Sequence, residues 1–195
     1  MRKAVYSLLA LLLLAIPAIA QDNGPFAPSS VDVYYSPSGG CTTACVATID
    51  GAKKSIFVQA YSFTSQPIAQ ALVNAKNRGV AVQVILDKSD KTGNGTLIDV
   101  VANAGISTFV DPVHAIAHNK IMIIDSAIVI TGSFNFTKAA ESSNAENMLV
   151  IHGKKLAGRY ITNWLAHLAH SVPYTAPPAP VPMPTPQPEP VPAPE

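Results

Sequence analysis

Apolar and polar positions along the chain switch repeatedly between a period of two and a period near 3.6. Val31 to Tyr35 alternates like a strand and stops at the turn Ser36-Pro37-Ser38-Gly39-Gly40. Thr42 to Lys54 places apolar residues at helical spacing, and Ser55 to Tyr61 then reads as a buried strand. Pro67 suits the first turn of a helix running through Ala69, Leu72 and Ala75 to a stop at Gly79. Val80 to Asp87 is dense in β-branched residues and predicts a strand, followed by a polar loop from Lys88 to Asn94. A helix over Thr96 to Asn103 ends before Gly105, and Ser107 to Val110 is a short strand. Beyond Asp111-Pro112, Lys120 to Asp125 and Ala127 to Thr131 are apolar runs around a turn, which predicts a hairpin. Thr137 to Ser142 reads as a helical turn and Asn147 to His152 as a strand. Lys154 to His170 closes the pattern with an amphipathic helix carrying Leu156, Tyr160, Ile161, Trp164 and Leu168. This succession predicts an α/β fold: a single-domain layered α-β-α sandwich around a mixed, largely parallel sheet.

The two ends stand apart from that pattern. Residues 1–20 read as a signal peptide, with Arg2 and Lys3 ahead of an apolar run and Ala18-Ile19-Ala20 as the cleavage site. The rest would then be periplasmic or secreted. Residues 21–30 form an N-terminal linker, 31–172 the domain, and 173–195 a proline-rich, disordered tail. Proline at nearly every second place removes backbone donors there, and an extended segment from Pro177 to Glu195 would reach roughly 60 Å. Such a tail is a solvated extension, or an arm that docks a cell-envelope partner.

Charge narrows the choice of ligand. Removing Arg2 and Lys3 with the leader takes the formal balance from +1 to about −1. No global basic field exists, so a polyanion would have to be held by a local cleft. Cys41 and Cys45 are the only cysteines; in an oxidising compartment they form either a disulfide across a very small loop or a pair of buried thiols. Two cysteines without neighbouring histidines do not make a zinc site, and no carboxylate–histidine cluster with metal-ligand spacing is evident, so no metal or cofactor is expected.

The chemistry concentrates in His118-Asn119-Lys120-Ile121-Met122-Ile123-Ile124-Asp125 and Gly132-Ser133-Phe134-Asn135. On an extended strand, His118 and Lys120 would share a face. A phosphodiester transition state calls for positive charge and donors around its oxygens. Lys120 supplies the charge, Asn135 an amide, and the Gly132-Ser133 turn a hydroxyl. An imidazole titrates near neutrality, so His118 can attack phosphorus directly. Asp125 and Glu146 are the candidate carboxylates to orient it. Asp125 also reads as a hairpin-turn residue with a scaffold role.

The spacing His118-x-Lys120-x4-Asp125-x6-Gly132-Ser133-x-Asn135 resembles the HKD signature of the phospholipase D superfamily. The resemblance extends through Tyr61-Ser62-Phe63-Thr64-Ser65, and from Phe134 to Glu141, to Glu146-Asn147. It is similar to the superfamily's short, single-motif bacterial endonucleases, over about Val31 to Ser171. It implies His118 as the nucleophile of a phosphohistidine intermediate, Lys120 and Asn135 binding phosphate with support from Ser133, and Glu146 orienting the histidine. Asp125 belongs to the catalytic motif by position. The superfamily's chemistry needs no metal.

In-line displacement puts nucleophile and leaving group on opposite sides of phosphorus, so a second histidine is wanted as acid. His114, His152, His167 and His170 lack a lysine-bearing context. A homodimer sharing the site at its interface would supply a second His118. The expected function is an exported, metal-independent phosphodiesterase, a non-specific endonuclease cleaving DNA and, as a further candidate, RNA. The rival readings are a phospholipase D-type lipid phosphodiesterase and a non-catalytic nucleic-acid-binding component of a DNA uptake or transfer system. Lys138 would contact phosphates. Phe134, Phe136 and Tyr61 are stacking candidates, with core packing the expected role for at least two of them.

Overall fold

The computed structural model describes residues 25–177; the expected signal peptide and residues 178–195 of the proline-rich tail lie outside them. Eight strands form one sheet in the order β1-β7-β6-β5-β2-β3-β4-β8. They are β1 (Ser30–Ser36), β2 (Ser55–Ala60), β3 (Ala81–Asp87), β4 (Ser107–Asp111), β5 (Lys120–Ile124), β6 (Ile128–Gly132), β7 (Glu146–His152) and β8 (Val172–Pro173). The helices are α1 (Cys41–Gly51), α2 (Gln66–Asn77), α3 (Ile98–Asn103), α4 (Lys138–Ser142) and α5 (Lys154–Leu168).

Among the described residues only β2–β3 and β3–β4 pair in parallel; the other five strand pairings there are antiparallel. The expectation of a largely parallel sheet is therefore corrected. The reason is topological: helices α2 and α3 carry the chain back between β2, β3 and β4, whereas β5 enters on the other flank of β2 and turns straight into β6. The layered arrangement holds. Alternate residues of the central strands (Val58, Val84, Met122, Ile130) join the core with Cys45, Ile49, Ile68 and Leu72 of α1 and α2. Ile85, Ile121, Ile123 and Val129 pack on the opposite face with Trp164 of α5. Trp164 donates its indole N–H to the carbonyl of Val58 at 2.9 Å, which anchors α5 over β2.

Contacts to the sheet continue at both ends of the domain. Ser29 donates its N–H and hydroxyl to the His152 carbonyl, so the linker is already tied to the sheet. At the other end Val172 and Pro173 pair with β4, and the Tyr174 hydroxyl donates to Asp99 at 2.6 Å. Proline is tolerated because β8 is an edge strand. Cys41 and Cys45 are free and fully buried in α1, so the structure takes the thiol alternative rather than the bridge. Cys45 packs its sulfur 3.8 Å from that of Met122.

Candidate active site

The register carries the candidate residues to one edge of the sheet. Lys120 pairs with Ala60 at the end of β2, and Ser36, at the end of β1, pairs with Glu146. Gly132 pairs with Met148, so Ser133 and Glu146 meet at that same edge. A β-carbon on Gly132, at φ +148, would stand 2.3 Å from the Asn147 carbonyl oxygen, so only glycine brings the turn this close to β7. The carboxyl ends of parallel strands, here β2 to β4, open onto this edge, the usual place for chemistry in sheets of this kind.

His118 is exposed and lies ahead of β5, which starts at Lys120. The alternation argument that put both on one strand face does not apply, because His118 belongs to the loop over residues 112–119. Tyr61 brings them together instead. Its ring lies 4.6 Å from the His118 ring and 5.1 Å from the Lys120 ammonium. Lys120 is buried, and its Nζ donates to the His118 carbonyl at 2.7 Å, fixing the backbone that carries the imidazole. Burial pushes the ammonium below its ordinary range, and nearby Glu146 pulls it partly back.

Ser133 donates its hydroxyl to Glu146 Oε2 at 2.6 Å and accepts the Asn147 N–H at 3.1 Å. Glu146 Oε1 accepts from the Asn144 amide at 3.2 Å. Glu146 is thus held by Ser133 and Asn144 rather than by His118, and in the described chain it orients Ser133. Asn135 has its Oδ1 buried without a hydrogen-bond partner, an orphaned acceptor beside this edge. The two segments around the site are laced together: Phe63 and Phe136 form a parallel bridge, and the N–H groups of Thr64 and Ser65 both donate to the Phe136 carbonyl. Phe134 and Phe136 are core residues at 1% exposure, while Tyr61 is half-buried at the site. Lys138 is exposed at the start of α4.

Asp125 stands at the opposite end of β5. Its carboxylate accepts the backbone N–H groups of Lys53 (2.9 Å), Lys54 (2.7 Å) and Ser55 (3.0 Å). Burial alone would raise its pKa, but those three donors outweigh it and hold the carboxyl below the usual range. Asp125 is therefore structural, and its place among the catalytic candidates is withdrawn: five strand residues, about 17 Å, separate it from the Lys120 end.

Sequence spacing missed two features of the same edge. Asp87 accepts the Ala117 N–H at 2.7 Å, which pins the loop one residue before His118. Burial would raise the Asp87 pKa; the Ser89 and Ala117 donors bring it below the ordinary value. The second is a carboxylate–histidine cluster of Asp111, His114, His167 and His170, which overturns the expectation that the chain has none. Its signal was present as two pairs three residues apart, Asp111-x2-His114 and His167-x2-His170, but nothing in the sequence joins one pair to the other.

A general base or nucleophile, a fixed ammonium, a hydroxyl–carboxylate pair and an amide on one exposed sheet edge define a phosphodiester-handling site. Residues 45–168 match the family described as "Cardiolipin synthase, PLD-like domain", and the chain belongs to this phospholipase D-like family of phosphodiesterases. A phospholipase D of Rickettsia felis is 44% identical over 137 residues, covering 70% of this chain and 68% of that protein. A mitochondrial cardiolipin hydrolase of Xenopus laevis is 34% identical over 100 residues, covering 51% and 48%. Among solved structures, Nuc of Salmonella typhimurium, a phospholipase D family member, superposes with a TM-score of 0.73 at 42% identity, covering 75% of this chain and 99% of Nuc. NucT of Helicobacter pylori shares the fold at 22% identity and a TM-score of 0.69.

Proposed function

We propose that this phosphodiesterase is an exported endonuclease that cleaves DNA, and RNA as a second polymer, through a phosphohistidine formed on His118. The observation that carries the reading is the exposed His118 imidazole, with Lys120 and Tyr61 behind it, at an open sheet edge. An edge of this kind admits an extended polymer. Similarity to Nuc over nearly the whole of that chain supports the same reading. The Rickettsia relatives named phospholipase D make a lipid diester the alternative.

In the proposed chemistry a neutral His118 nitrogen attacks phosphorus and the P–O bond to the leaving strand breaks. Lys120, Ser133 and Asn135 bind the non-bridging oxygens. The leaving oxygen takes a proton from the His118 of a second subunit. That histidine, now neutral, then draws a proton from water, whose oxygen cleaves the P–N bond. No step passes through a metal. Two copies of one imidazole, one neutral and one protonated, give a bell-shaped pH–rate profile. Support for the dimer comes from an apolar strip on β1, Val31, Val33 and Tyr35 at 43%, 48% and 65% exposure, whose end lies beside Asn147 and Glu146 at the site.

Purified protein is incubated with plasmid and with phosphatidylcholine vesicles. Nicking of plasmid without headgroup release is expected; the reverse result selects the lipid reading. Mixing His118→Ala and wild-type subunits should give heterodimers with little activity, whereas full activity per intact histidine would overturn the shared site.

A further inference from the structure

Asp111 ends β4 with its side chain fully buried. One carboxylate oxygen, Oδ1, accepts the N–H of Val113 at 3.0 Å and lies 3.4 Å from the N–H of His114, which fixes the plane of the group. The other, Oδ2, faces three imidazole nitrogens: His114 Nδ1 at 2.8 Å, His167 Nδ1 at 3.1 Å and His170 Nε2 at 3.2 Å. The three rings pack against one another with centroids 4.8, 5.1 and 5.4 Å apart. All four ligand atoms lie within 4.8 Å of one another.

Hydrogen bonding does not account for this arrangement. A carboxylate oxygen offers two lone pairs, so a third N–H directed at Oδ2 finds no acceptor of its own. A cation bound among the four groups changes the demand, because every one of them then turns a lone pair toward the centre. In a tetrahedron with metal–ligand bonds of 2.0–2.1 Å, neighbouring ligand atoms sit about 3.3 Å apart. The three oxygen–nitrogen distances already lie within about half an ångström of that edge. The donor set selects the ion: imidazole suits zinc and its first-row neighbours, whereas magnesium and calcium take oxygen ligands.

We propose that Asp111, His114, His167 and His170 bind a divalent transition ion of the zinc class, which clamps the loop carrying His118 onto the end of α5. His114 sits early in the 112–119 loop, His167 in the last turn of α5 and His170 in the turn that follows it. Only residues 115–117 separate His114 from His118. The same stretch is held from β3 and the turn after it, where Lys88 Nζ donates to the His114 carbonyl at 2.9 Å and Asp87 accepts from Ala117. The ion adds a further tie, between the nucleophile's loop and the helix. It touches no reacting atom, so these four are positioning residues. The clamp's purpose rests on the phosphodiesterase reading; the metal site does not.

Protein made without a polyhistidine tag is stripped with chelator, desalted and titrated with zinc by calorimetry, with metal content read by mass spectrometry. One zinc per chain is expected, with a thermal midpoint that rises on binding and does not respond to magnesium. Cobalt(II) should give the visible absorption of a tetrahedral site. In the His167→Gln/His170→Gln variant, whose fold is checked by circular dichroism, affinity should fall by at least about 100-fold, the most that even supporting groups around a metal contribute. His118→Ala should bind zinc like wild type, which separates this site from the nucleophile. Hydrogen exchange in residues 112–119 should slow when zinc is added. Wild type that binds no stoichiometric zinc, or a double variant that binds it equally, overturns the site. Unchanged exchange in the loop overturns the clamp.

Discussion

Asp125 is the third letter of the HKD signature, and its environment argues that removing it harms the fold and spares the chemistry. Asp125→Ala takes away the acceptor for three N–H groups. Hydrogen bonds to a charged group contribute about 1.5–3 kcal/mol each when water is excluded. Here the Lys53 and Lys54 contacts are exposed and water replaces most of their value, while the Ser55 contact is partly buried. The three together come to about 3 kcal/mol. Alanine also sits poorly at φ +52, adding about 1 kcal/mol, whereas asparagine accepts that conformation and keeps one carbonyl acceptor. The expected loss is therefore about 4 kcal/mol for alanine and about half of that for asparagine. For a domain of this size 4 kcal/mol corresponds to a fall of about 8–16 °C in thermal midpoint.

Urea titration measures the stability loss as a shifted midpoint at unchanged slope. Turnover of a chromogenic phosphodiester, measured well below the transition, should stay within about threefold of wild type per folded molecule, since stability changes away from the reacting groups leave the barrier alone. The pH dependence gives a further check. A carboxyl whose folded pKa is depressed contributes its stability fully above the unfolded value and loses it as pH falls through the folded value. The gap between wild type and alanine should hold above about pH 4 and shrink below it towards the roughly 1 kcal/mol that the backbone strain leaves. An alanine variant as stable as wild type, or a well-folded asparagine variant with turnover down 100-fold, would refute the scaffold argument.

Three substitutions at two other residues test how His118 is held. Tyr61→Phe keeps the ring against His118 and Lys120 and should retain turnover within about threefold; Tyr61→Ala should lower it about 10–50-fold, the equivalent of about 1.4–2.3 kcal/mol of ring and cation contacts. Equal turnover in both variants would reduce Tyr61 to packing. Asp87→Ala orphans the Ala117 N–H at a buried contact, for a loss of about 1–3 kcal/mol and reduced turnover through a looser His118. Because the Asp87 pKa is depressed, that loss should be full above about pH 4 and vanish as pH falls through the folded value; a gap that persists in acid would mean the carboxylate charge is not what holds the loop.

Local pattern carried most of the elements, since strands and helices differ in period and are bounded by glycine and proline. It did not carry pairing direction: β5 and β6 read as a hairpin, but nothing in their residues says that β5 lies beside β2 on the flank away from β3. The motif located Lys120, Ser133 and Asn135 by chemistry, yet it could not say that His118 sits off the strand or that Tyr61 bridges it to Lys120. Asp87 looked like an ordinary strand end. The Asp111 cluster was least legible, because its two halves lie on either side of the HKD segment and meet only when α5 is laid over β4.

The spacing between Lys120 and Asp125 acquires a physical meaning from this geometry. The four residues between them complete β5, and the strand is tied at both ends: the lysine ammonium holds the His118 carbonyl, and the aspartate holds the backbone entering β2. Between the ties every residue is buried, Ile121 and Ile123 toward α5, Met122 and Ile124 toward α1 and α2. Adding or removing one residue would exchange those faces, since strand side chains alternate with period two. It would also carry Lys120 away from Tyr61 if Asp125 kept its contacts. A charge at a chosen depth from a fixed point needs a strand of fixed length, and the motif's x4 measures that strand. The aspartate is then required at its position for the same reason that it is absent from the chemistry: it is the far end of the ruler.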